Sequence, residues 1–135
     1  MNHPATGLGS VVEYEAPSDR LLRTITSGIS SPQAIAVDGS ATLYVANANG
    51  SGRGWISVYR SGATAPSCEI KRGVDYPRSL TADDQDNVHV ANVGYDSPVR
   101  DRRAVCVYAP NTRTPLRCVR AERRFDLPTW LASGP

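Results

Sequence analysis

Short apolar-rich runs, separated by clusters of Gly, Pro, Asp, Asn and Ser, follow one another along this chain. No segment sustains the 3.6-residue period of an amphipathic helix, so the pattern predicts strands joined by tight turns. Ala34 to Asp38 and Ser79 to Asp83 follow a proline and read as buried inner strands. Gly39-Ser40-Ala41-Thr42 and Asp84-Gln85-Asp86-Asn87 are turn-forming clusters that close hairpins onto second strands, Leu43 to Asn47 and Val88 to Asn92. Strand alternation puts Leu43, Val45, Val88 and Val90 on a core face, with Tyr44 and His89 on the opposite, non-core face. Third strands are predicted over Val11 to Glu15, Trp55 to Arg60 and Ala104 to Ala109. Fourth strands are predicted over Arg23 to Thr26, Ser67 to Lys71 and Arg117 to Arg120.

The pattern repeats. Sliding the chain by 45 residues places Tyr14 on Tyr59, Ile25 on Ile70, Gly28 on Gly73 and Pro32 on Pro77 without a gap. Asp38 then falls on Asp83, Leu43 on Val88, Val45 on Val90, and Ala46-Asn47 on Ala91-Asn92. A third copy is looser. Val105-Cys106-Val107-Tyr108 matches Ile56-Ser57-Val58-Tyr59 at an offset of 49, and 127–131 resembles 76–80 at an offset of 51. Four strands in about 45 residues is the unit of a β-propeller blade, a four-stranded antiparallel sheet repeated around a channel. The expected fold is therefore all-β, with about two and a half to three blades and a ring left incomplete by this chain. The organisation follows as an N-terminal tail (1–10), a partial blade of two outer strands (11–33) and two blades (34–78 and 79–127). The first strand of a further blade (128–135) completes it. A ring of four to eight blades would need either a longer chain or several copies of this one.

Pro32-Gln33-Ala34-Ile35-Ala36-Val37-Asp38, then Leu43-Tyr44-Val45-Ala46-Asn47, then Ile56-Ser57-Val58-Tyr59 resemble the NHL/YVTN-type propeller superfamily. The second copy repeats the run at Pro77 to Asp83, Val88 to Asn92 and Val105 to Tyr108. Such blades occur in binding scaffolds, in lactonase-like and lyase-like enzymes, and in secreted or envelope proteins. The resemblance thus implies an extracellular or envelope location and leaves the activity open, because a fold does not specify a function.

Composition narrows the classes. The formal net charge of +2 is too small to argue for a polyanion partner. From Ala91 onward the balance is +4, carried mainly by Arg100, Arg102, Arg103, Arg117, Arg120, Arg123 and Arg124, against −2 for residues 1–90. Aromatics placed to stack on bases are missing there, so no nucleic-acid partner is expected. No apolar run is long enough for a membrane-spanning helix, and Met1 to Ser10 carries no signal-peptide pattern. Three cysteines, Cys68, Cys106 and Cys118, have neither CxxC nor Cys/His spacing, so no structural zinc site is expected. Cys106 and Cys118 flank a turn at 111–114 and would face one another across a hairpin, as a bridge or as two free thiols.

Candidate chemistry is sparse. Asp38 and Asp83 end strands before tight turns, where an Asp side chain caps the turn. The run Asp83-Asp84-Gln85-Asp86-Asn87 has the carboxylates of a calcium loop but lacks its glycine and distant glutamate. His89 reads as a blade-surface residue, and Tyr14, Tyr59 and Tyr108 as inter-blade packing residues with outward hydroxyls. No nucleophile elbow, phosphate loop or zincin motif occurs, and no catalytic residue, metal ligand or cofactor is assigned. The connections 48–54 and 93–103 differ between copies while the strands do not, and loops of that kind carry recognition. The candidate binding residues are therefore Asn47, Asn92, Tyr95, Asp96, Arg100 and Arg102. The expected function is a non-enzymatic scaffold binding a protein or small ligand on that loop face. The alternative is a lactonase-like or lyase-like enzyme with a site in the central channel, which would bring Asp38, Asp83 and a third acidic or amide group within metal-ligand distance of one another.

Overall fold

A computed structural model describes residues 9–48, 54–93 and 104–120. They form ten strands: β1 (Val11–Glu15), β2 (Arg20–Ile25), β3 (Pro32–Val37), β4 (Leu43–Ala48), β5 (Gly54–Tyr59), β6 (Cys68–Ile70), β7 (Pro77–Ala82), β8 (Val88–Asn92), β9 (Ala104–Tyr108) and β10 (Arg117–Arg120). These build three antiparallel sheets, ordered β1-β2, β3-β4-β5-β6 and β7-β8-β9-β10. No helix occurs among the described residues. The strand predicted within 128–135, and most of the tail at 1–10, lie outside the described residues.

Strand boundaries move most at β2, β3 and β7, each for a local reason. β3 and β7 begin on the prolines themselves, Pro32 and Pro77, with a register break before Ala34 and Ser79. Both are edge strands, where a missing N–H interrupts no ladder. β2 begins at Arg20 rather than Arg23, because the 16–19 turn closes on an Asp19 N–H donated to the Glu15 carbonyl at 2.8 Å. The β1-β2 ladder then starts at Glu15 opposite Arg20.

The middle sheet is packed on both sides. Leu43, Val45 and Tyr59 meet Ile25 and Ile29 of the first sheet and the segment that follows it. Tyr44, Ala46, Ile56, Val58 and Ile70 meet Leu80, Val88, Val90, Cys106 and Tyr108 of the third sheet. Every residue of β4 is consequently buried, Tyr44 included. The sequence placed Tyr44 on a non-core face, and this is corrected. Alternation describes one sheet with one wet face, whereas a sheet between two others needs apolar residues on both. His89, at the same position in the third sheet, stays half-buried because no described sheet follows.

The joints between sheets repeat. Tyr59 on β5 donates to the Ser27 carbonyl at 2.6 Å, and Tyr108 on β9 donates to the Arg72 carbonyl at 2.7 Å. Both hydroxyls point inward to the connecting segment, which corrects the outward direction expected of them. Tyr14, the first copy of this residue, is 60% exposed, since no described sheet precedes β1. Gly28 and Gly73 follow the two accepting carbonyls with φ of +79° each. A methyl group there would lie 2.9 Å and 2.8 Å from the tyrosine oxygens, so a side chain at either position would strain backbone and packing together. Left-handed backbone also recurs at Ser31 and Tyr76 and at Ala41 and Asp86, 45 residues apart each time.

Candidate functional site

Asn47 is the penultimate residue of β4 and Asn92 the last of β8, next in sequence to segments 49–53 and 94–103, which lie outside the described residues. Their side chains do not face solvent, being 0% and 1% exposed. The Asn47 Oδ1 accepts the Ser30 N–H at 2.9 Å, and its Nδ2 donates to the Val45 carbonyl and to Ser57 Oγ. Ser57 Oγ then donates to the Gly28 carbonyl at 2.6 Å, and Trp55 Nε1 donates to the same Oγ. Asn92 repeats the clamp: its Oδ1 accepts the Asp75 N–H at 2.9 Å, and its Nδ2 donates to the Gly73 carbonyl at 2.9 Å. Each amide thus ties the segment entering one sheet to the strand that leads to the loop. Such buried, fully engaged amides fix a conformation. They are spent on holding the fold rather than offered to a ligand. Tyr95, Asp96, Arg100 and Arg102 lie outside the described residues.

The two clamps differ at one atom. Ser57 of the second sheet is replaced by Cys106 in the third, and Cys106 is bridged to Cys118 on β10. Cys106 and Cys118 are directly opposed in the ladder, so the pairing that the sequence left open is a disulfide. A bridged sulfur has no proton to donate. Asn92 accordingly donates straight to the Gly73 carbonyl, the acceptor equivalent to the one Ser57 serves in the sheet before.

At the opposite end of the sheets, Asp38 and Asp83 cap their turns as the sequence predicts. The Asp38 Oδ1 accepts the N–H groups of Ser40 and Thr42, and the Asp83 Oδ1 those of Gln85 and Asn87, all at 2.9 Å. The second oxygen of each carboxylate reaches the next strand: Tyr44 Oη donates to Asp38 Oδ2 at 3.2 Å, and His89 Nε2 lies 3.1 Å from Asp83 Oδ2. In isolation Asp83 and His89 resemble an acid–base dyad. Their equivalence to Asp38 and Tyr44 gives the position a shared structural task, that of closing the hairpin. The His89 contact, then the Asn87 side chain and the N–H groups of Asn87 and Gln85, hold the Asp83 carboxyl well below the usual carboxylate range, against partial desolvation. Burial, followed by the charge of Asp38 and its hydrogen bond, raises the Tyr44 hydroxyl far above the ordinary tyrosine value. Burial alone pushes Tyr108 up to about 12.

Asp86, one of the three carboxylates of the calcium-like run, accepts the Gly39 N–H at 2.7 Å and the Ser40 hydroxyl at 3.2 Å, linking the turns of adjacent sheets. Among the described residues no group of three or more His, Cys, Asp or Glu is arranged to hold a metal ion. No helix there is long and apolar enough to cross a membrane.

No protein-family model matches the chain, and neither does any curated protein. Among solved structures, Kuenenia stuttgartiensis hydrazine synthase is similar, with a TM-score of 0.66 and 24% identity over 83% of this chain. The chain spans 30% of that chain's length. At this identity the likeness concerns the fold alone.

Proposed function

We propose that these sheets are NHL/YVTN-type β-propeller blades and that the chain is a non-enzymatic binding scaffold. It presents segments 49–53 and 94–103 to a protein or a small ligand. The observation that carries this reading is the repeated clamp: Asn47 and Asn92 tie down the strand ends that precede two segments of different length and composition. A fixed scaffold bearing variable connections is the usual construction of a recognition face. Identical strand order in the two four-stranded sheets, and the packing of β3 against β7, support a blade arrangement with β3 and β7 innermost. Further blades, from a longer chain or from other copies, would complete the ring.

The disulfide between Cys106 and Cys118 supports a secreted or envelope setting, since such bonds persist mainly in oxidising compartments. The enzymatic alternative needs Asp38 and Asp83 free to meet a substrate or metal, and both carboxylates are engaged by their own turns. Selection of binders from a displayed peptide and protein library tests the proposal. A selected partner should lose at least about tenfold in affinity when Tyr95, Asp96, Arg100 and Arg102 are together replaced by alanine, with thermal unfolding unchanged. Binding indifferent to that replacement, or turnover of lactone substrates abolished by Asp83→Asn, would overturn it.

A further inference from the structure

The Cys106–Cys118 bond joins two unlike halves. Cys106 is 2% exposed on β9, an inner strand, whereas Cys118 is exposed on β10, the outer strand of the same sheet. No residue of β10 is buried, and among the described residues its ladder runs to β9 alone. β6 holds the same place in the second sheet without a bridge, and there Ile70 is buried. A cleft of about 280 Å³ beside the bond is bounded by Cys106, Cys118, Asn92 and Gly73, and it gives a small thiol a way in.

The surroundings of Cys106 suit a free thiol as well as a bridged sulfur. Its Sγ lies 3.5 Å from the Gly73 carbonyl oxygen and 3.8 Å from Asn92 Nδ2. Ser57 fills this position in the second sheet, where its hydroxyl donates to the Gly28 carbonyl and accepts from Asn47 Nδ2. A reduced Cys106 therefore has an acceptor for its S–H and a donor to its sulfur with the strand in place. We propose that the Cys106–Cys118 bond is a redox switch for the attachment of β10, opened by a dithiol acting on the folded chain. A thiolate of the dithiol attacks Cys118 Sγ, because exchange requires access to the sulfur attacked. The S–S bond breaks, a mixed disulfide forms on Cys118, and Cys106 leaves as a thiolate that accepts from the Asn92 amide. Cys106 then takes up a proton and donates it to the Gly73 carbonyl. The second thiol of the reagent, as its thiolate, attacks the reagent sulfur of the mixed disulfide and expels Cys118, which is protonated in turn. The dithiol is oxidised to a cyclic disulfide and the two cysteines are reduced. β10 loses its covalent tie and, with no buried residue to hold it, frays from β9. The switch does not depend on the loop face proposed above.

The test follows cleavage of the bond by dithiothreitol at urea concentrations below the unfolding transition, with alkylation and mass measurement of the products. The cleavage rate should be nearly independent of urea, since the native fold is what reacts. Glutathione, a monothiol, should be trapped on Cys118 after acid quenching. In the reduced chain the amides of 117–120 should exchange at least about tenfold faster, while those of Ala46, Ile56 and Val90 keep their protection. Cys106→Ser with Cys118→Ser, which cannot form the bond, should show the same pattern, and reoxidation of the native chain should reverse it. A cleavage rate that climbs with urea as steeply as global unfolding would show that the bond is reached only in the unfolded chain. That result would overturn the switch, as would glutathione carried by Cys106, unchanged exchange at 117–120 on reduction, or loss of protection throughout.

Discussion

The hydroxyl of Tyr108 donates to the Arg72 carbonyl at 2.7 Å, so a residue on the third sheet fastens the segment that leaves the second. Tyr59 does the same to Ser27 one repeat earlier. Removing the oxygen keeps the ring in place and leaves a carbonyl without its donor, a loss of about 1–3 kcal/mol for a buried group. Tyr59→Phe and Tyr108→Phe should each lower the unfolding free energy by that amount, read as a lower urea midpoint with an unchanged denaturant slope. Tyr14→Phe should leave the midpoint where it is, because Tyr14 is exposed and holds no joint among the described residues. Equal effects at all three positions would break the connection between these tyrosines and sheet packing.

Gly28 and Gly73 lie under those hydroxyls. Gly28→Ala and Gly73→Ala force a left-handed alanine, costing about 1–2 kcal/mol, and add overpacking of about 1–3 kcal/mol. The overpacking arises from a methyl placed 2.9 Å or 2.8 Å from the tyrosine oxygen, with Pro66 and Pro115 at its other side. Pairing Gly28→Ala with Tyr59→Phe should recover part of the loss, a coupling that a double-mutant cycle would detect.

The strands, their order and the Asp38 and Asp83 turns were legible because they rest on period-two alternation and on residue types that favour turns. Other features depend on what lies next to a sheet. Tyr44 is core only because a third sheet covers it, and Asn47 and Asn92 become internal clamps only because the chain entering the sheet passes beside them. Left-handed backbone at Ser31, Tyr76 and Ala41 carries no glycine to announce it.

Ala41 adopts φ of +60° in an exposed turn, where the equivalent residue of the next copy is Asp86 at +61°. Asp and Asn tolerate this region better than alanine. Ala41→Asn should therefore stabilise the chain by about 0.5–1 kcal/mol, read as a raised urea midpoint. A lowered midpoint would show that the alanine methyl matters more than its backbone conformation.

Asp83 has a depressed carboxyl pKa in the folded chain, its largest cause the His89 hydrogen bond. The stability it contributes is present above the unfolded value near 4 and is lost as pH falls toward the lower folded value. Urea midpoints measured from pH 5 down to pH 2 should fall, and Asp83→Asn should flatten that slope while lowering the plateau near neutrality. Parallel slopes in the two proteins would remove Asp83 from the acid response.

Cys106 and Cys118 close a loop of 12 residues, which by chain entropy stabilises the folded state by about 2.5–3 kcal/mol. Reduction should lower the unfolding free energy by an equivalent amount, read from urea unfolding, while Cys68, already free, is unaffected. The choice of replacement is informative, because Ser57 occupies the same place in the preceding sheet and donates to the Gly28 carbonyl. In a Cys118→Ala background, Cys106→Ser restores a donor for the Gly73 carbonyl beside the Asn92 amide, whereas Cys106→Ala does not. The serine variant should exceed the alanine variant by about 0.5–1.5 kcal/mol, the net worth of one such bond. If alanine proves the more stable, Asn92 alone satisfies the Gly73 carbonyl, and the equivalence of the two clamps ends at that atom.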